Sequence, residues 1–191
     1  MKKYLKMIPV MFYPYAYVIP LIIRIAADDS NYLEEILLGI LICGIVFNIL
    51  VIIVAFYNSV VSACGKYSVV EAAKINMITK CVQIPAYIFH FWLGILGLIM
   101  SIWGIGIILF VVVVDLITIF ITGVSAMGLS VLMLKTKTID FKFAVLGAIA
   151  SFMYCIDVVV AIKYYWIAKN KIKNNCSIIS NMSWKRYLID L

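Results

Sequence analysis

The sequence predicts an all-α fold, a polytopic membrane helix bundle of four to five spans with one interfacial amphipathic helix. Hydrophobic residues make up 66% of the 191 residues and charged residues 13%, whereas a soluble domain is about 45–50% apolar and 25% charged. The basic residues stand at the ends of long apolar segments, where they face anionic lipid headgroups. The net charge of +7 therefore indicates a lipid bilayer as partner, not nucleic acid, and residues 1–191 form one integral membrane domain.

The first apolar segment, residues 7–23, follows a basic start and contains Pro9, Pro14 and Pro20. Its length lies at the lower limit for a span. Each proline removes a backbone donor, which excludes a straight helix. Three interpretations stay open: a kinked span, which we favour, an interfacial segment, or a cleaved signal peptide. Arg24 disfavours cleavage because it lies beside the small residues that resemble a cleavage site.

The second segment, residues 36–57, is a clear span that follows an acidic loop. After a polar turn, Ser68 and Glu71 form a capping-box pattern, which predicts the start of a helix. The helix that follows, residues 69–83, is amphipathic. We expect it to lie along the membrane surface, with Lys80 outside its apolar face.

Pro85 is expected to bend that surface helix into the third apolar segment, residues 84–103. A tight uncharged turn leads into the fourth segment, residues 105–134, and a basic loop follows it. The fifth segment, residues 143–167, ends in an aromatic belt, and a basic tail, residues 168–191, closes the chain.

The orientation of the chain stays open at this point. With five spans and the N-terminus inside, the two basic loops lie inside and the tail lies outside. If the first segment only lies on the inner surface, the tail is inside and those loops are outside. Lysine and arginine counts do not separate the two arrangements, and the acidic loop favours five spans.

A single acid, Asp115, stands inside the uncharged run of the fourth segment. An acid near the middle of a span costs about 2.5–3.5 kcal/mol on insertion scales, so protein groups should receive it. Thr118 and Thr122 follow at helical spacing on the same face. The predicted polar intramembrane site comprises Asp115, Asp157, His90, Asn48, Thr118 and Thr122.

Small residues also recur at helical spacing, which allows membrane helices to approach closely. The predicted helix-packing positions are Gly94, Gly97, Ser101, Gly104, Gly147 and Ser151. One interpretation is a compact bundle whose inward faces are these stripes. The other is a polar pathway, because buried acids beside an imidazole are components of proton relays.

The sequence contains no metalloprotease, nucleophile-elbow, P-loop or dinucleotide-binding motif. His90 is the only histidine, and we expect it to pack and donate a hydrogen bond, not to bind a metal. The cysteines form no C-x-x-C pair, and Cys43 and Cys155 are expected to be small apolar packers. No catalytic residue, metal or cofactor is predicted.

The stretch from Ala73 to Gly94 contains the elements Asn-Met-Ile, Ile-Pro-Ala-Tyr and Leu-Gly. It resembles an uncharacterised family of small multi-span membrane proteins from low-GC Gram-positive bacteria. The acid in the fourth span and the Asp157-Val158 pair in the last span are also similar to that family. The resemblance implies a multi-pass protein of the bacterial cytoplasmic membrane and carries over no functional residue.

The leading functional hypothesis is a non-enzymatic accessory, protective or assembly component that contacts a second copy or another membrane protein. The alternative is a small channel or proton-coupled transporter that uses the intramembrane acids. A membrane enzyme is a third and weaker hypothesis, since two acids and one histidine do not make a mechanism.

Overall fold

A computed structural model describes residues 6–16 and 33–189, with side chains described at 6–16, at 39 and at 42–173. Every element in those ranges is helical. The helices are α1 (Ile8–Met11), α2 (Tyr13–Ala16), α3 (Leu33–Ala63), α4 (Val69–Ile99), α5 (Ile105–Lys135), α6 (Phe141–Ala150) and α7 (Ile156–Ile189), with a 3-10 turn (Ser101–Gly104) between α4 and α5.

Three helices, α3, α4 and α5, are long and apolar enough to cross a membrane. Consecutive helices run in opposite directions, and α5 packs against both α3 and α4. α3 ends, α4 begins and α5 ends at one end of the bundle, which we call the basic end because of its lysines. The 3-10 turn and the start of α3 lie at the other end, called the opposite end.

α4 is one continuous helix that passes through Pro85. The prediction of a separate surface helix over residues 69–83 is therefore wrong. Its start is as expected, since the Ser68 hydroxyl accepts from the Glu71 amide at 3.3 Å. The polar side of the helix is buried inside the bundle, where Lys80 finds partners that a surface location would not require.

The predicted fifth segment is not one helix, because the chain reverses within it. A Cβ on Gly147 of α6 would collide with the Tyr164 hydroxyl of α7, and the rings of Phe143 and Tyr164 lie 6.0 Å apart. Lys171 of α7 donates to the Thr136 carbonyl, just before α6, at 2.9 Å. α6 and α7 thus form a helical hairpin that opens at the basic end.

The hairpin tip, residues 151–155, connects the two helices, with its first residue buried and residues 153–155 exposed. Cys155 has a φ of +63° there, a left-handed conformation that lets the chain turn. α6 has 10 residues, so it advances about 15 Å, roughly half the thickness of a bilayer core. Cys155 is exposed, as is Cys43 on α3, so the expectation that these two cysteines pack inside is wrong.

The proline-rich start of the chain packs against α3 and α4 as two single-turn helices. Tyr13 is fully buried, and its hydroxyl donates to Asn48 Oδ1 at 2.5 Å. Gln83 Nε2 donates to the Val10 carbonyl at 2.8 Å. The absence of a straight helix over residues 6–16 agrees with the prediction. Residues 17–23 of the predicted segment lie outside the described residues.

The predicted packing positions divide into two groups. A Cβ on Gly104 would collide with the Gly97 backbone, so these two glycines permit the close approach of α4 to the turn. Ser151 is buried, and its hydroxyl donates to the Gly147 carbonyl at 2.8 Å.

Gly94 and Ser101 do not pack. Gly94 has no neighbour within 4 Å of its Cβ position, and Ser101 is exposed in the turn at a φ of +55°.

Candidate functional site: two buried acid–base pairs

One face of α4 carries Lys80, Gln83, Tyr87 and His90, and all four are buried. Their steps of three, four and three residues keep them on one side of the helix. This face meets α5 and the hairpin tip. Because α4 and α5 are antiparallel, its two ends meet different acids.

At the end nearer the basic loops, Lys80 and Asp157 form an ion pair. Nζ and Oδ2 are 2.7 Å apart, and both side chains have 0% exposure. Lys80 Nζ also donates to Thr122 Oγ1 at 3.2 Å and to the Ser151 carbonyl at 3.5 Å. Asp157 Oδ1 accepts from the Val158 amide at 2.8 Å. The pair is fully enclosed and both members have further hydrogen bonds.

The hairpin tip suits this pair electrostatically. The carbonyl end of α6 carries partial negative charge and the amide end of α7 partial positive charge. Lys80 contacts the Ser151 carbonyl at the first end, and Asp157 lies in the first turn of the second. The ion pair therefore complements both helix ends, which is how broken helices in transporters hold ions at the middle of the membrane.

At the other end of the face, His90 Nδ1 lies 2.6 Å from Asp115 Oδ1. The His90 side chain is 2% exposed and that of Asp115 is 12% exposed. Lys80 and His90 are ten residues apart, which separates the two pairs by about 15 Å along α4. Asp115 of the fourth segment therefore has a hydrogen-bond partner inside the protein. That partner is His90 on α4 and not Asp157.

Two tyrosines lie between the pairs. Tyr87 of α4 and Tyr154 of the hairpin tip have ring centroids 5.2 Å apart. Both hydroxyls lie within electrostatic range of Asp115 and of Asp157. Tyr87 Oη is buried and has no hydrogen-bond partner among the described residues, and the same is true of Gln83 Oε1 and Asn76 Nδ2.

The other predicted site residues lie partly at the pairs and partly elsewhere. Thr122 joins the first pair while its hydroxyl donates to the Thr118 carbonyl at 3.0 Å. Thr118 donates to the Val114 carbonyl of its own helix at 2.7 Å. Asn48 is separate from both pairs, since it binds Tyr13 and lines an apolar groove between α3 and α5.

Sequence reasoning missed Lys80 and Tyr87, whereas Tyr154 lies at helical spacing from Asp157 in the fifth segment. Gln83, His90 and Gly97 of the third segment lie on one stripe of polar and small residues at helical spacing, and this stripe begins at Gln83. Extended one step toward the N-terminus at the same spacing, it reaches Lys80, which is the signal that could have found the first pair. The described residues hold no cluster of three His, Cys, Asp or Glu side chains suited to a metal ion.

Fold and site together define a helical bundle with three membrane-length helices and two acid–base pairs buried on one helix face. No family model, curated protein or solved structure matches the chain.

Proposed function

We propose that the protein is a multi-pass, non-enzymatic channel or transporter of the bacterial cytoplasmic membrane that moves protons along its intramembrane acids. The observation that carries the proposal is the Lys80–Asp157 pair, enclosed where the hairpin breaks. Ionisable groups inside a membrane bundle are costly, and they mark ion pathways and proton relays. A second pair with an imidazole lies on the same helix face.

The hairpin supports a topology of four crossings and one re-entrant hairpin, with both ends of the chain inside. The loops after α3 and α5 lie at the basic end, together with the part of α7 that follows Tyr164. Cytoplasmic segments carry the excess of lysine and arginine. The lysines at the basic end are Lys66, Lys74, Lys135, Lys137, Lys142, Lys163, Lys169, Lys171 and Lys173.

The proline-rich start fits this topology as the first crossing. Lys6 lies over the Tyr57 ring, 5.3 Å from its centroid, toward the basic end, whereas Tyr13 reaches Asn48 farther from it. A C-terminal reporter active only in the cytoplasm should therefore be active, and a reporter in the loop 64–68 should give the same result. Opposite results for these two positions would contradict the re-entrant hairpin.

Proton flux into liposomes tests the function. Purified protein is reconstituted with an internal pH dye, and a pH gradient and a potassium diffusion potential are imposed. Wild type should acidify the lumen faster than empty liposomes, whereas Asp157→Asn and Asp115→Asn should fall to the empty-liposome rate. Asp140→Asn is the matched control, because Asp140 is exposed at the start of α6 and should retain the wild-type rate.

Circular dichroism and gel filtration separate loss of function from loss of fold in these variants. A folded wild type that passes no proton under either gradient contradicts the proposal. Equal flux in wild type and in both buried-acid variants contradicts it as well, because the flux would then not use the pairs.

An accessory or assembly role is the second candidate function. It is favoured by the hydroxyls of α5, several of which bond to their own helix: Thr118 to Val114, and Ser130 to Ala126 at 3.1 Å. Such hydroxyls find their hydrogen-bond acceptor within their own helix and need no water path. Capture of a specific membrane partner, together with absent flux, would select this role.

A further inference from the structure

The two pairs lie at different levels along α4, and between them two buried polar atoms of α4, Tyr87 Oη and Gln83 Oε1, have no hydrogen-bond partner among the described residues. Tyr87 is 6% exposed, and its hydroxyl has no hydrogen bond among the described residues. Buried polar atoms in native proteins are nearly always paired with protein or with ordered water. A tyrosine hydroxyl that only filled space would be replaced by phenylalanine at no loss.

The position of Tyr87 along α4 places its hydroxyl between the pairs. It is seven residues from Lys80 and three from His90, about 10 Å and 5 Å along the helix axis. The carboxylates of Asp157 and Asp115 both act on it electrostatically. Gln83 Oε1, another acceptor with no partner among the described residues, lies on the same face toward Lys80.

Tyr87 also contacts a partly exposed residue of the hairpin tip. Tyr154 packs on Tyr87 from the hairpin tip and is 43% exposed. The tip reaches only part of the way along α4, so the His90 end of the face is not covered by the hairpin. The partly exposed Tyr154 therefore lies between Tyr87 and the surface of the bundle.

We infer that Tyr87 binds ordered water between the two pairs and that this water joins them into one proton path. The inference rests on the proposed function and adds the connection between its two halves. In each transfer a proton leaves one oxygen or nitrogen for the next along hydrogen bonds. Asp157, Asp115 and Cys155 act on the Tyr87 hydroxyl electrostatically, and Tyr154 packs against its ring, while Lys80 and His90 are the partners of the two acids. No oxidant or co-reactant is needed, since one proton enters for each that leaves.

Tyr87→Phe in the liposome assay tests the path. Because the hydroxyl has no protein partner in the described structure, its removal should leave the unfolding midpoint unchanged or raised. Proton flux should nevertheless fall about tenfold or more, as for loss of a proton-transfer group. Tyr164→Phe is the matched control. Its hydroxyl lies 3.1 Å from Ser130 Oγ, so this variant should lose stability and keep its flux.

Hydroxyl-radical footprinting of the wild type gives a measurement that does not depend on flux. Radicals formed from bound water label the side chains beside it. Tyr87 should therefore be labelled despite its burial, and the equally buried Tyr164 should not.

The results of these experiments distinguish a failure of the inferred water path from a failure of the proposed function. Full flux in Tyr87→Phe with lost flux in Asp157→Asn would overturn the inference and leave the proposed function standing. An unlabelled Tyr87 would also overturn it. Absent wild-type flux would overturn both.

Discussion

The two ion pairs differ in how completely the bundle encloses them. Lys80 and Asp157 are wholly buried, and the pair also bonds to Thr122 and to the hairpin backbone. His90 and Asp115 hydrogen-bond to each other, and the Asp115 side chain is 12% exposed. The hairpin explains the difference, because α6 and α7 cover the basic half of α4 and leave the other half uncovered.

One face of α4 therefore carries two pairs in different surroundings. Every charge of the Lys80–Asp157 pair is compensated, so this pair holds the hairpin tip in place and is costly to break. A pair with fewer partners at a more accessible position can exchange a proton with less rearrangement. The four predictions below test whether the enclosed half is the stable half.

Lys80→Met should have the largest effect. It leaves the Asp157 carboxylate buried without its cation, and breaking one side of a buried pair costs about 3–5 kcal/mol. The free energy of unfolding, measured by pulse proteolysis in mixed micelles, should fall by that amount.

The double variant Lys80→Met with Asp157→Leu controls for this result. Replacing both members by apolar side chains removes the stranded charge, so most of the stability should return. A double variant as unstable as the single one would mean that Lys80 acts through packing and not through the pair.

Gly128→Ala probes helix packing in the enclosed half. A Cβ there would collide with the Ser59 backbone of α3, so the helices must separate, at about 1–3 kcal/mol. Gly94→Ala in the uncovered half is the control, since its Cβ would meet open space. That change should stabilise α4 by roughly 0.5–1 kcal/mol. If both substitutions changed the stability equally, the enclosed and uncovered halves of the bundle would not differ in packing.

Much of the helix content followed from the sequence, and the reason lies in local rules. The fourth segment, predicted over residues 105–134, agrees with α5 (Ile105–Lys135) to one residue, because an uninterrupted apolar run leaves few alternatives. The Ser68 cap was predicted for the same reason, since a helix start depends on neighbouring residues.

The hairpin could not be predicted, because no local signal marks it. The tip, Ser151 to Cys155, has neither glycine nor proline, and the apolar run continues through it. What stabilises the reversal is the contact of Asp157 with Lys80, 77 residues away. The burial of Lys80 could not be predicted either, because its partner is equally distant in sequence. Without that partner, a lysine on the polar side of a helix resembles a surface residue.

His90→Leu should destabilise less than Lys80→Met does. It leaves Asp115 without its partner, and an unsatisfied buried acceptor costs about 1–2 kcal/mol. Partial exposure lets that carboxyl reach other donors. The same micelle assay measures the difference, and Asp115→Asn, which keeps a hydrogen bond to His90, should cost less still. A His90→Leu loss as large as that of Lys80→Met would refute the contrast between the pairs.

Cys155→Gly should have the smallest effect and the opposite sign. Cys155 holds a φ of +63° at the hairpin tip, a conformation that costs an L-residue about 1 kcal/mol and glycine almost nothing. The variant should therefore unfold at a slightly higher detergent concentration. Cys43→Gly is the matched control, because Cys43 is also exposed but lies within α3, where glycine lowers stability by about 0.5 kcal/mol. If both variants lost stability, the tip would not depend on the left-handed turn, and the Lys80–Asp157 pair alone would account for the reversal of the chain.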